Sequence, residues 1–369
     1  MASSRAYAVL SPLDAVRRWW LSLMGPLARD WIVERDKRVT ATLALAVVSA
    51  VVLASTYPIV LLALGPLTLG VPHIFADIRY LVARQGLHKR WPLYFAVVVP
   101  LLVYAFATSS SWASCFAWGA TGGAALVARG SWKRRLPVLL FAIGMIVFVT
   151  QYGYPVALFI AHFHNVFALV VIWRWRAGKK KPFEYIPFVL YAIAAAFIIA
   201  GGFEPIVRAT GGASVASFEL DLDNQGVIYA PDSWGIFGPR AVVFFAFAQS
   251  VHYGVWLRAV PDEARPSKTP RSFVQSARAV VGDMSWPVTL IALVMSAGVA
   301  GWAAHNVFNA REAYFAFAGF HGYLEFAVFA FIFCEGGALF RVNQPKADPA
   351  VEAAPAAPQA EAPGATPVG

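Results

Sequence analysis

The sequence predicts an all-α protein: a polytopic transmembrane helix bundle of about ten spans with both termini on the cytoplasmic side. Three observations carry that reading. The 369 residues are 59% hydrophobic and 14% charged, with a mean hydropathy of +0.60. A soluble domain carries roughly 25% charged residues, so this chain has too few to cover a water-facing surface. The apolar residues fall in repeated runs of about 20, the length a bilayer demands. The basic residues are confined to alternate connections, as cytoplasmic loops require.

The spans read as 39–55, 58–83, 92–108, 112–129, 136–151, 154–174, 184–202, 239–258, 286–304 and 313–340. With the N-terminus inside, the inner segments hold Arg5 to Arg38, Arg84 to Arg90, Arg129 to Arg135, Arg174 to Lys181, Arg258 to Arg278, and Arg341 with Lys346. Of the 30 Lys and Arg, only Arg208, Arg240 and Arg311 fall outside, while Arg79 lies within a span. The long outer loop, 203–238, carries Glu204, Glu219, Asp221, Asp223 and Asp232. The net charge of +10 is therefore a matter of topology, and a nucleic-acid partner is not implied.

Three regions follow: a cytoplasmic and interfacial segment 1–38, a helical domain 39–342, and a tail 343–369. Residues 11–24 read as an interfacial helix. Ser11 is placed to cap it and Pro12 suits its first turn. Arg17 and Arg18 are expected at the headgroups, with Leu13, Val16, Trp20 and Leu23 dipping into the acyl boundary. The Pro/Ala-rich tail has no aromatic residue and is expected to be disordered. Parts of the outer loop, SFELDLDN and GVIYAPDSW, suit short strands or a cap over the outer mouth. The first residues lack the apolar stretch of a cleavable signal, so the first span is expected to serve as an uncleaved one. Cys115 and Cys334 both sit in apolar runs and are expected to be structural thiols. The setting implied is an integral protein of a bacterial-type inner (plasma) membrane.

The histidines carry the chemical signal. Ionisable side chains inside a membrane are costly and tend to mark function. Of seven histidines, His88 and His305 fall at solvated positions and five fall inside spans. His73 and Asp77 are four apart in Gly70-Val71-Pro72-His73-Ile74-Phe75-Ala76-Asp77 and share one helix face. His321 and Glu325 repeat that spacing in the last span. His162 and His164 flank Phe163, and His252 follows Gln249 by one turn. At about 1.5 Å per residue, the five lie roughly 9–18 Å from the nearer span end used as reference, close enough to share one layer.

Imidazole and carboxylate from several helices form the donor set of non-haem iron and other divalent-metal sites. Candidate metal ligands are therefore His73, His162, His164, His252 and His321. Residues two apart point to nearly opposite sides of a helix, so one of His162 and His164 is expected at the metal and the other in a wall. Asp77 and Glu325 are candidate catalytic carboxylates: each would bind metal or orient a histidine by accepting its other N–H. Gln249 is a candidate partner for His252. Two other readings remain open: a transporter or proton pathway using the same groups, and a haem-bearing electron carrier with two axial histidines. Runs such as Phe244-Phe245-Ala246-Phe247 suit either a tunnel for a long lipophilic substrate or ordinary helix packing.

The segment Gly70–Asp77 resembles the G-x-P-H-x-x-x-D signature of the Brp/Blh-like β-carotene dioxygenases. That resemblance implies a multi-span membrane enzyme holding iron through histidines and cleaving carotenoids, with His73 as a ligand. His162 or His164, and His252, would fill the later ligand roles. The HxxxH and HxxHH boxes of membrane desaturases are absent. The sequence thus points to a metal-dependent membrane oxidoreductase or oxygenase acting on a lipophilic substrate such as a carotenoid or lipid.

Overall fold

A computed structural model describes residues 4–107, 112–175, 181–210, 222, 225, 229–230, 234–235, 237–265 and 269–337. The tail and the two outer-loop stretches expected as strands or a cap lie largely or wholly outside them. Among the described residues there are helices and no strands. The surface-lying segment comprises α1 (Ser11–Leu23) and α2 (Pro26–Val33). The bundle then runs α3 (Arg35–Thr56), α4 (Pro58–Ala83), α5 (Trp91–Phe106), α6 (Ala113–Val127), α7 (Trp132–Tyr152), α8 (Tyr154–Trp175) and α9 (Pro182–Ile199). After the short α10 (Glu204–Ala209) come α11 (Phe237–Gly254), α12 (Phe273–Met284), α13 (Trp286–His305), α14 (Val307–Ala318) and α15 (Phe320–Glu335).

Among the described residues, seven helices are long and apolar enough to cross a membrane, counting α14 and α15 as one; α5 and α6 are apolar and shorter. The protein is therefore read as an integral membrane protein. Helices α7 and α13 bury only 11% and 6% of their apolar windows, against 56% for α4 and 50% for α8, so the first pair is peripheral and the second central. The outward faces of α7 and α13 present Leu140, Ile143, Val147, Ile291, Leu293 and Val294, the lining a lipid phase would wet.

Helices α4, α11, α8 and α15 close a ring of neighbours, in which each packs on the next. Close approach elsewhere needs small residues: a side chain at Gly123 of α6 would overlap the Ala96 backbone of α5. Helix α4 carries Pro66 and Pro72 inside it. Pro66 cannot donate to the Leu62 carbonyl one turn earlier. Arg311 of α14 supplies the donor instead, with Nε 3.1 Å from Leu62 O. Sequence placed Arg311 in an outer connection; the structure buries it at 4% exposure, with Nη2 also donating to Gln225 Oε1 and Tyr229 OH. The last span, expected as one piece, is interrupted at Gly319, which ends α14 and begins α15. Cys115 and Cys334 are free thiols, as expected.

The interfacial helix forms, with two corrections. Ser11 does not cap it; its hydroxyl donates to Ala8 O inside the preceding turn. Arg17 turns inward and donates to Arg271 O at 2.5 Å. Leu13, Val16, Trp20 and Leu23 are exposed, ready to enter the acyl boundary. Asp14 has a role the sequence did not show. Its carboxylate accepts the N–H groups of Phe273 (2.7 Å) and Val274 (3.4 Å), at the start of α12. Burial alone would raise this carboxyl, but those two N–H groups and the Arg17 guanidinium hold it below the ordinary aspartate range. A depressed folded-state pKa stabilises docking above the ordinary aspartate value of about 3.9, and that contribution is lost as pH falls through the lower folded value. The expected result is that a spin-label distance between α1 and α12 stays short at neutral pH and lengthens below about pH 4. Asp14→Asn should remove that pH dependence; an unchanged profile would refute the contact.

Candidate metal centre

Each helix of the inner ring places one histidine at the bundle axis: His73 from α4, His164 from α8, His252 from α11 and His321 from α15. One ring nitrogen from each lies within 4.8 Å of the others. Side-chain packing fixes the rings. His73 and His321 meet edge to face at 4.7 Å, as do His164 and His321 at 4.5 Å, while His164 and His252 are tilted at 4.5 Å. Gly70 is needed here, because the Tyr314 ring occupies the space that any side chain at that position would fill.

The hydrogen bonds decide the tautomers. His73 Nδ1 lies 3.3 Å from Leu69 O, and His321 Nδ1 lies on Ala318 O. A carbonyl only accepts, so both Nδ1 atoms carry the proton and both Nε2 atoms present lone pairs in the neutral rings. Those two Nε2 atoms face each other at 3.0 Å. Two bare lone pairs repel; a shared cation converts the contact into attraction. Nitrogens bound side by side to one ion at roughly 2.1 Å stand about 3.0–3.4 Å apart. The separation found here fits that spacing.

A second group lies behind the first. Asp77, His252 and Glu325 bring one donor atom each within 4.8 Å, so His252 belongs to both groups. Asp77 and Glu325 are fully buried. Neither pairs with Lys or Arg among the described residues. Both oxygens of Asp77 and both ring nitrogens of His252 lack a hydrogen-bond partner there. His164 Nδ1 stands 3.0 Å from Glu325 Oε2 without the alignment of a hydrogen bond, so both Glu325 oxygens are orphaned as well. Orphaned buried polar atoms are costly and rare, and bound metal is one remedy. With a divalent cation bound, Asp77 and Glu325 would ionise and balance its charge beside four neutral imidazoles. Two π-helical turns follow the site directly, Ile78–Ala83 after Asp77 and Val255–Ala259 after His252. Such turns are frequent at functional sites.

His73, His164 and His321 open onto a cavity of about 140 Å³ whose lining includes neither carboxylate. Tyr104, Tyr253, Tyr314, Phe245 and Phe315 line it, with Gln249 in the wall. The structure thus brings together His73, His164, His252 and His321, with Asp77 and Glu325 beside them. It places His162 elsewhere. His162 Nε2 lies 2.9 Å from Tyr229 O, and its ring packs on Phe244 and Phe245. It borders a separate cavity of about 740 Å³ with Phe159, Phe237 and Arg240. The half-turn between residues two apart sends His162 outward when His164 points in. The tyrosines were not singled out from sequence; Tyr314 sits one turn after Arg311 and one and a half before Gly319, a signal that only the folded break makes readable.

This buried histidine-rich group is able to hold a metal ion. No family model matches the chain, and no curated protein or solved structure shows significant similarity to it.

Proposed function

We propose that the protein is a membrane oxidoreductase that binds one non-haem iron, or another divalent metal, between His73, His164, His252 and His321. It acts on a lipophilic substrate such as a carotenoid or another lipid. The observation that carries this reading is the approach of His73 Nε2 to His321 Nε2 at 3.0 Å, with each Nδ1 set against a backbone carbonyl. The G-x-P-H-x-x-x-D resemblance to the Brp/Blh-like dioxygenases supports the same class. The bound ion would supply dioxygen activation. The chain's own groups hold it: Glu325 stands beside His164, and Asp77 and Glu325 lie beside His252. The aromatic wall excludes water and takes the reacting segment of the substrate. The larger cavity beside His162 shares α8 and α11 as walls and suits the rest of an extended apolar molecule.

The proposed topology has ten spans and both termini in the cytoplasm of a bacterial-type cell, supported by the distribution of Lys and Arg. A haem would need two imidazoles on opposite faces of a flat macrocycle, whereas these four donors crowd one point. The test is elemental analysis of the purified protein together with oxygen uptake in the presence of β-carotene or a fatty acyl lipid. Iron or manganese near one per chain with substrate-dependent uptake is the expected result. Metal-free protein that moves protons or solute across vesicles would replace this reading with a transporter.

A further inference from the structure

The second place in the fold with the character of a ligand site lies at the end of the bundle where α5 begins and α6 and α15 finish. A cavity of about 150 Å³ there is lined by Lys89, Arg90, Arg129, Trp91, Val127 and Phe331. Three cations surround it against one carboxylate, Glu335. That carboxylate pairs with Arg90 at 3.1 Å and accepts the Arg129 N–H at 2.8 Å, which ties the α15 end to both neighbouring connections. The Arg90 guanidinium also lies 5.1 Å over the Phe331 ring. Among the described residues, neither Lys89 nor the Arg129 guanidinium makes an ion-pair contact with a carboxylate, although the Arg129 charge is felt at Glu335. Trp91 is 71% exposed, as a ring seated in the headgroup layer would be.

The cationic cavity does not stand alone. Leu93 and Phe331 form part of its wall and also part of an apolar groove running inward between α5 and α15. Val97, Val98, Leu324, Ala327 and Val328 continue that groove, which has a volume of about 80 Å³. One end of the combined surface is cationic and wide enough for a phosphate group. The other is greasy, narrow and open to the lipid side. We infer that this is a binding site for an anionic phospholipid, with its phosphate between Lys89 and Arg129 and one acyl chain along Val97 and Val98. Charge complementarity selects the occupant: a zwitterionic lipid brings an ammonium group to a pocket already in cationic excess, and a free phosphate leaves the groove unfilled. Basic pockets between membrane helices recognise anionic headgroups in this way.

The test uses the full chain in detergent, titrated with dioleoyl phosphatidylglycerol, dioleoyl phosphatidylcholine and inorganic phosphate, with bound lipid read by native mass spectrometry. Phosphatidylglycerol is expected to bind in preference to phosphatidylcholine and to resist competition by phosphate. Lys89→Gln with Arg129→Gln should weaken phosphatidylglycerol roughly 30-fold, from the contribution of two basic residues near a membrane surface. Val98→Trp, at the lipid-facing rim of the groove, should weaken it while leaving both cations in place. Size-exclusion elution identical to the parent shows that each variant is folded. Equal binding of the two lipids, displacement by millimolar phosphate, or unchanged affinity in folded variants would overturn the assignment.

Discussion

His252→Ala is expected to strip the protein of its metal. The imidazole is fully buried, stands in both donor groups, and has neither ring nitrogen satisfied by another described residue. Removing even an outer partner of a ligand typically costs 10–100-fold in metal affinity. Loss of a ligand that also faces two carboxylates should cost more than about 100-fold, so protein purified without added metal should fall well below one tenth of the parent content. His73→Ala and His321→Ala should behave alike, because each leaves one lone pair of the 3.0 Å contact without its counterpart. His162→Ala is the control. It sits two residues from a proposed ligand and in the same helix, yet its ring faces Tyr229 O and the outer cavity. It should retain metal. Equal loss in His162→Ala and His252→Ala, or full retention in both, would contradict the four-histidine assignment. Glu325→Gln should fall between, since an amide keeps the shape and loses the charge that faces His164.

Arg38→Leu is expected to give the largest loss of stability. Arg38 and Asp262 are both 3% exposed at the side chain and meet in two hydrogen bonds, Nε to Oδ2 at 2.7 Å and Nη2 to Oδ1 at 3.1 Å. Arg38 Nη1 also donates to Trp31 O at 2.6 Å and Ile32 O at 3.2 Å. One guanidinium therefore joins the start of α3, the end of α2 and the Val260–Glu263 turn beyond α11. Removing one partner of a buried pair typically costs 3–5 kcal/mol, because the other is left charged and out of water. Arg265 also lies against Asp262 and offsets part of that penalty. About 3 kcal/mol is therefore the expected loss. Thermal unfolding of detergent-purified protein checks it. A shift no larger than that of an exposed-pair variant such as Lys37→Ala would show that the buried pair contributes little.

Much of the architecture was readable before any coordinates. Apolar runs and alternating basic connections locate the helices because lipid forces backbone polar groups to pair within each segment. Depth alone put all five intramembrane histidines in one layer. The choice between His162 and His164 could not be made that way, because it depends on the rotation of α8 about its axis, and that is set by neighbours far away in sequence. The Gly319 break was hidden for a similar reason: an isolated glycine within an apolar run is tolerated in a continuous helix. Asp14 was unreadable as a cap because the helix it caps begins more than two hundred residues later. Arg311 was misplaced because charge normally marks a connection. Here it answers a vacancy in another helix's backbone, a need visible only once α4 and α14 lie side by side.

That guanidinium also bears on the order in which the molecule can be completed. Leu62 and Arg311 are separated by 249 positions, so the proline-bearing helix emerges from synthesis long before its missing donor does. Until α14 packs against α4, Leu62 O lacks this donor in a medium that offers it no water. His73 lies beyond Pro66 on the same helix. The first histidine to be made is thus among the last to be fixed, and assembly of the centre waits on the same late segment that delivers His321.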